Sequence, residues 1–158
     1  MDKTALFIDG SNFYAAAKGL NLDIDFARMR AYFAKDTNLI RAYYYTAIPE
    51  DQEFSSLRPL VDWLDYNGYA VVSKLTREFI DEETGKRRLK GNMDMELALD
   101  MLKLAPHIDH AILFSGDGDF CRLLEDVQAL GVRTTVVSTN KTTPPMVADQ
   151  LRRMADIY

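Results

Sequence analysis

The chain has 158 residues, of which 47% are hydrophobic and 27% charged, a composition typical of a globular protein with a substantial core. Its formal net charge of −5 argues against a protein that coats nucleic acid through bulk positive charge, and no apolar run reaches the length of a membrane span. The single cysteine, Cys121, excludes an internal disulfide, and the N-terminus lacks a secretory signal pattern, so we expect one cytoplasmic domain over residues 1–158.

Apolar strand patterns alternate with amphipathic helix patterns along the chain. Strands are predicted at 4–8, 39–46, 69–75, 111–115 and 132–137. Helices are predicted after a cap at Ser11 or Asn12 as far as 19, at 26–33 with Asp23 or Asp25 as cap, up to 66, and at 93–104, 120–130 and 146–155. Two short strand patterns around a polar turn within 76–90 predict an inserted β-hairpin arm. The alternation predicts an α/β fold with three layers, Rossmann-like, and a mainly parallel five-stranded sheet.

Two of the buried strand patterns end in carboxylates with glycine beside them. Asp9 follows the first strand, and Asp117 and Asp119 follow the fourth. Ligands of open parallel sheets bind outside the carboxyl ends of strands, so these acids share one pocket if the two strands are neighbours. Packed carboxylates repel unless protons or cations lie between them, and hard divalent ions such as Mg²⁺ prefer oxygen ligands. The pattern therefore predicts a metal site.

Each of these polar residues also has a structural interpretation. Asp9 and Asn12 can serve as helix caps or bond to the backbone about as readily as they can bind a ligand. Asp119 is a credible N-cap for the helix predicted at 120. Asp117 lies earlier in the turn, where a carboxylate without partners is costly, and this favours a functional role for it.

A third acidic group lies at the start of the predicted helix 93–104. Asp94 shares the sheet-facing side with Leu97 and Met101, so its carboxylate is expected to overlook the ends of the strands. Asp100 is either a group behind the site that hydrogen-bonds the turn or a buried paired acid. Glu96 fits a solvated helix face better than a ligand.

Three short blocks of the chain resemble, in order, the signature blocks of the NYN domain family, in particular its LabA-like (DUF88) branch. They are Asp9-Gly10-Ser11-Asn12, Lys90-Gly91-Asn92-Met93-Asp94 and Ser115-Gly116-Asp117-Gly118-Asp119-Phe120. The family is similar to PIN nucleases, which implies a Rossmann-like (PIN-like) sheet with an acidic cluster that holds Mg²⁺ or Mn²⁺ and a metal-dependent ribonuclease activity.

By position, the resemblance implies four acids that are both catalytic residues and metal ligands: Asp9, Asp94, Asp117 and Asp119. Asn12 is expected to support the first of them. The chain departs from many relatives at Asn92, where they carry an apolar residue, so the hydrogen bonding there is expected to differ.

The implied partner is RNA. Lys90 is the basic residue nearest to the acids in sequence, and Tyr14 can stack a base, although core packing is an alternative for Tyr14 or Phe13. The basic residues of the arm either contact phosphates as a group or pair with its acids: Lys74, Arg77, Lys86, Arg87 and Arg88. The last helix can pack on the sheet or against a second subunit, which leaves a homodimer open.

Two other functions remain open at this point. One is a non-catalytic module that binds RNA or protein on the same fold. The other is a phosphatase with Asp9 as nucleophile, disfavoured because Ser11 stands where haloacid dehalogenase-like enzymes place a second aspartate. His107 and His110 precede the fourth strand, away from the predicted site, and offer a poor zinc site without nearby cysteines.

Overall fold

A computed structural model describes residues 1–49, 57–76, 78–80, 82–85, 87–89 and 92–158, with the backbone alone at 49, 78–80 and 87–89. The predictions for Arg77, Lys86 and Lys90 therefore lie outside the described residues, as do those for the side chains of Arg87 and Arg88. In the part of the chain that is described, no helix has both the length and the apolar character needed to cross a membrane.

Seven strands and six α-helices are described. The strands are β1 (Lys3–Asp9), β2 (Asn38–Pro49), β3 (Ala70–Thr76), β4 (Glu78–Ile80), β5 (Arg87–Leu89), β6 (His110–Phe114) and β7 (Arg133–Val137). The helices are α1 (Gly10–Gly19), α2 (Phe26–Ala34), α3 (Arg58–Tyr66), α4 (Asp94–Leu104), α5 (Cys121–Ala129) and α6 (Asp149–Met154), with 3₁₀ turns at Ala105–His107 and Gly118–Phe120.

The main sheet has the order β3-β2-β1-β6-β7, and all of its strand pairs are parallel. The chain builds outward from β1 through β2 to β3, and later returns to place β6 on the other side of β1. The direction of winding therefore changes between β1 and β6, and in such sheets this switch point opens a crevice at the carboxyl ends. β4 and β5 form a separate antiparallel pair, which confirms the predicted hairpin.

Helices cover both faces of the sheet, so β1 and β6 at its centre are buried along almost their whole length rather than on alternate residues. Phe7 and Leu113 point to a core under α4, α5 and α6, where Leu97, Leu124 and Leu151 are buried. The opposite face packs under α1, α2 and α3 through a second set of buried side chains: Leu6, Ile8, Ile112, Phe114 and Leu64. The predicted three-layer α/β fold is confirmed.

The last helix begins at Asp149 and not at 146, so the predicted start was wrong. The reason lies in the backbone, because Val147 N–H donates to the carbonyl of Thr139 (3.1 Å) and Ala148 N–H donates to the carbonyl of Gly116 (2.8 Å). Residues 146–148 are therefore held against the turn after β6. Leu151 is fully buried, so α6 packs on its own sheet.

Two helix starts show which predicted caps form. Asp25 caps α2, because its Oδ1 accepts the N–H of Arg28 at 3.0 Å. The predicted cap of α1 by Ser11 or Asn12 was wrong, since α1 begins at Gly10 directly after Asp9 and has no side-chain cap.

Candidate active site

Ser115 joins the ends of the two central strands. Asp9 is the last residue of β1, and Ser115 directly follows β6, with only 1% of its surface exposed. The Ser115 hydroxyl donates to Asp9 Oδ2 (2.9 Å), while its oxygen accepts the N–H of Asp117 (3.2 Å). One side chain thus orients the first acid and the turn that carries the others. Ser115 was not among the predicted site residues, although a hydroxyl between a buried strand and an acidic turn was a usable signal.

The turn after β6 is held from two further sides. Gly116 N–H donates to Asn12 Oδ1 at 3.0 Å, which ties the turn to α1. A Cβ at Gly116 would lie 2.1 Å from the carbonyl oxygen of Met146, so only glycine allows this close approach. Asn12 therefore supports the backbone of the turn.

Asp117 is the N-cap of the 3₁₀ turn, because its Oδ1 accepts the N–H of Asp119 at 2.9 Å. The possible cap by Asp119 of the helix predicted at 120 does not form, because α5 begins at Cys121 with no side-chain cap. The expectation that Asp117 lies too early to cap was wrong for the 3₁₀ turn. Capping occupies one carboxylate oxygen of Asp117 and does not exclude a second role for this side chain, since a carboxylate has two oxygens.

Asp94 comes to the same place from a different element. It is the first residue of α4, and its N–H donates to Asn92 Oδ1 at 3.2 Å, so Asn92 shapes the entry to the helix. One carboxylate oxygen from each of Asp94, Asp117 and Asp119 lies within 4.8 Å of the other two. We call these three residues the acidic trio. It is a donor set of hard oxygens compatible with a divalent cation.

Asp9 is linked through Ser115 to Asp117 of the acidic trio, although it is not one of the three members. Burial raises the pKa of Asp94 to about 6, and the negative charges of Asp9 and Asp117 add to this effect. Burial also raises the pKa of Asp9, opposed by the hydrogen bond from Ser115. Excess negative charge is thus held in a partly buried place, where a cation would relieve it.

The other two acids of α4 have partners. The hydroxyl of Tyr45 donates to Asp100 Oδ2 at 3.0 Å, so the hydrogen bond that Asp100 accepts ties α4 to β2 and not to the turn. Glu96 forms a surface ion pair with Lys74 (3.0 Å), so it is not merely solvated, and Lys74 is engaged by a carboxylate.

Phe13 and Tyr14, the two aromatic residues of α1, lie in different environments. The ring of Phe13 packs edge-on against Phe114 in the core, with centroids 5.5 Å apart, whereas Tyr14 is 60% exposed on α1. His110 begins β6 at the opposite edge of the sheet and contacts Thr135 (2.6 Å), as expected for a structural histidine.

Cys121 fits the interpretation of a small hydrophobic side chain. It packs against the core under α5, and burial raises the pKa of its thiol, which disfavours the nucleophilic thiolate.

Comparison with known proteins agrees with this geometry. The family model of the NYN domain matches residues 3–158. The chain belongs to the NYN domain family. It is 37% identical over 159 residues to the "Low amplitude and bright protein LabA" of Synechococcus elongatus, an alignment that covers 99% of this chain and 82% of that relative.

A solved structure shares the fold of this NYN domain. It is a protein of unknown function, VPA0982, from Vibrio parahaemolyticus, with a TM-score of 0.79 and 25% identity over 99% of this chain and 90% of the other. An NYN domain has the PIN-like nuclease fold, and the acidic trio lies where such a sheet places its ligands, at the switch point beside β1.

Proposed function

We propose that this NYN domain is a metal-dependent ribonuclease that hydrolyses RNA phosphodiester bonds, with Mg²⁺ or Mn²⁺ as cofactor. The observation that carries the proposal is the convergence of Asp94, Asp117 and Asp119, from two separate elements, beside Asp9 at the switch point of the sheet. Membership of a family with a nuclease fold adds support.

The donor set suits a hard divalent ion. The acidic trio offers carboxylate oxygens alone, with no sulfur or imidazole among them, as Mg²⁺ and Mn²⁺ prefer. Asp94, Asp117 and Asp119 would hold the ion, and Asp9 would bind it from the side of β1 or contact it through water. When bound, such an ion neutralises charge on the phosphate and makes a water molecule more acidic.

The chain itself contributes orientation and proton transfer. Asp9 accepts a hydrogen bond from the Ser115 hydroxyl at 2.9 Å, which restrains the orientation of its carboxylate. From there it can orient an attacking water and accept its proton, in the manner of a general base. Asn12 keeps the backbone of the acidic turn in place, and Tyr14 and Lys90 are proposed to contact the RNA.

The direct test is incubation of the pure protein with labelled RNA and DNA in Mg²⁺, in Mn²⁺ and in chelator. We expect RNA cleavage that chelator abolishes and that Asp94→Asn lowers by about a hundredfold or more. Asp62→Asn is the matched control, because it makes the same change at an exposed position of α3. Equal cleavage by Asp94→Asn and wild type would contradict the proposal, while RNA binding without cleavage would favour the non-catalytic module.

A further inference from the structure

A cleft leads away from Asp9 along α1. It consists of two adjoining cavities of about 500 and 390 Å³, each within the usual range of ligand pockets. The larger begins at Gly10 and Ser11, next to Asp9, and the other continues to Lys18 and Asn21. The two cavities form one path, because the same three residues line both of them: Tyr14, Tyr44 and Leu60.

The wall nearest to Asp9 is the ring of Tyr44. This ring is almost fully buried, and a Cβ at Gly10 would lie 2.9 Å from it, so glycine at this position lets the ring reach the strand end. Burial and the charge of Asp9 raise the pKa of Tyr44 to about 12, which shows that the hydroxyl lies within electrostatic reach of that acid. The cleft therefore begins at the residue after Asp9, at the carboxyl end of β1.

The other wall carries groups suited to a nucleotide chain. Tyr14 presents a 60% exposed aromatic ring, and Lys18 follows one helical turn later on the same side of α1. No described carboxylate forms an ion pair with Lys18. Beyond it, Asn21 and Asp23 add an amide and a carboxylate that can hydrogen-bond the edge of a base.

We propose that this cleft binds an unpaired stretch of the RNA strand that flanks the scissile phosphate, with a base stacked on Tyr14 and a phosphate bound by Lys18. The inference rests on the proposed function and specifies its substrate as single-stranded at this point. From Ser11 to Lys18 the helix rises roughly 10 Å, which is about three nucleotides at a stacked spacing of ~3.4 Å. A base must be unpaired to stack on a side chain, so duplex RNA would fit poorly.

The test measures binding of a fluorescent single-stranded RNA in chelator, where no turnover is expected. Tyr14→Ala should weaken binding about tenfold and leave the salt dependence unchanged, because stacking carries no charge. Lys18→Ala should lower the slope of log affinity against log salt by about 0.7, the effect of one phosphate contact. Tyr66→Ala and Lys35→Ala, exposed positions near the opposite edge of the sheet, should change neither quantity.

A length series supplies a second readout. Extending the RNA on the side that enters the cleft should improve affinity for about the first three added nucleotides, and further nucleotides should add nothing. Annealing a complementary strand to the added nucleotides should abolish that gain. Unchanged thermal unfolding of the four variants, all at exposed sites, would show that folding is intact.

The outcomes separate this inference from the proposed function. Metal-dependent cleavage with no effect of Tyr14→Ala or Lys18→Ala on binding would overturn the cleft and leave the ribonuclease standing. Binding that depends on both residues, without cleavage in any metal, would support the cleft and reject the catalysis. Absence of both binding and cleavage would overturn the two together.

Discussion

Asp94→Asn is expected to stabilise the metal-free protein while it removes the proposed activity. A carboxylate whose pKa rises from 3.8 to about 6 on folding binds its proton more tightly in the folded state. That rise corresponds to roughly 3 kcal/mol at about 1.4 kcal/mol per pH unit, and partial exposure to solvent reduces it to about 1–2 kcal/mol. Asparagine carries no charge, and its amide can donate to Asp117 as the protonated acid does.

The sign of the pH dependence follows from the same shift. Between about pH 4 and 6 the folded state holds a proton on Asp94 that the unfolded chain releases, so this group makes stability fall as pH rises through the window. Above about pH 6 Asp94 is ionised in both the folded and the unfolded state, and its charge then destabilises the folded state by the full amount. Asp94→Asn should therefore match wild type near pH 4 and exceed it at pH 7.5.

Chemical denaturation in chelator at pH 4 and at pH 7.5 measures the difference in the free energy of unfolding between variant and wild type. At pH 7.5 the melting temperature of the variant should be about 2–8 °C higher than that of wild type. Asp62→Asn, exposed on α3, should show no such change. A variant that is less stable than wild type at pH 7.5, or that keeps the wild-type slope between pH 4 and 6, would refute the view that this carboxylate is strained by burial and its acidic neighbours.

Three further outcomes are expected. Mg²⁺ or Mn²⁺ at about a hundred times its dissociation constant should stabilise wild type by about 2.7 kcal/mol, and an equal gain in Asp94→Asn would place the ion elsewhere. Ser115→Ala removes the hydroxyl that donates to Asp9 and should cost about 1–3 kcal/mol in urea unfolding; a neutral result would mean that water replaces this hydroxyl. Gly116→Ala brings a methyl group against the Met146 carbonyl and should cost about 1–3 kcal/mol, whereas unchanged stability would show that the 146–148 segment yields freely.

The sequence predicted site residues best where a chemically reactive side chain lies at the end of a predicted buried strand. A carboxylate at the end of a buried strand is costly without a partner, so the positions of Asp9 and Asp117 made them candidates for a site. Whether they meet depends on strand order, and the pairing of β1 with β6, with Ile8 opposite Phe114, is set by packing between residues about a hundred positions apart. A shared pocket could therefore be predicted only on the condition that the two strands are neighbours.

The details of the turn after β6 could not be predicted for a different reason. Asp117 and Asp119 are both able to cap the following helix, and the choice depends on a short 3₁₀ turn that places the N–H of Asp119 toward Asp117. The late start of α6 likewise depends on a long-range bond, in which Ala148 N–H meets the Gly116 carbonyl. The periodicity of apolar residues within a segment cannot predict such long-range hydrogen bonds.

Structural needs alone do not explain why the acidic trio is charged. An uncharged asparagine or serine caps a helix about as well as Asp117 does, and neither would repel Asp94, whose carboxyl has its pKa raised to about 6 partly by that neighbour. Asp94 itself gains some stability from the N-terminal dipole of α4, yet it lies where burial and three other acids oppose its ionisation. Folding alone would therefore favour a neutral residue at position 94, whereas a cation bound by the acidic trio would offset this repulsion.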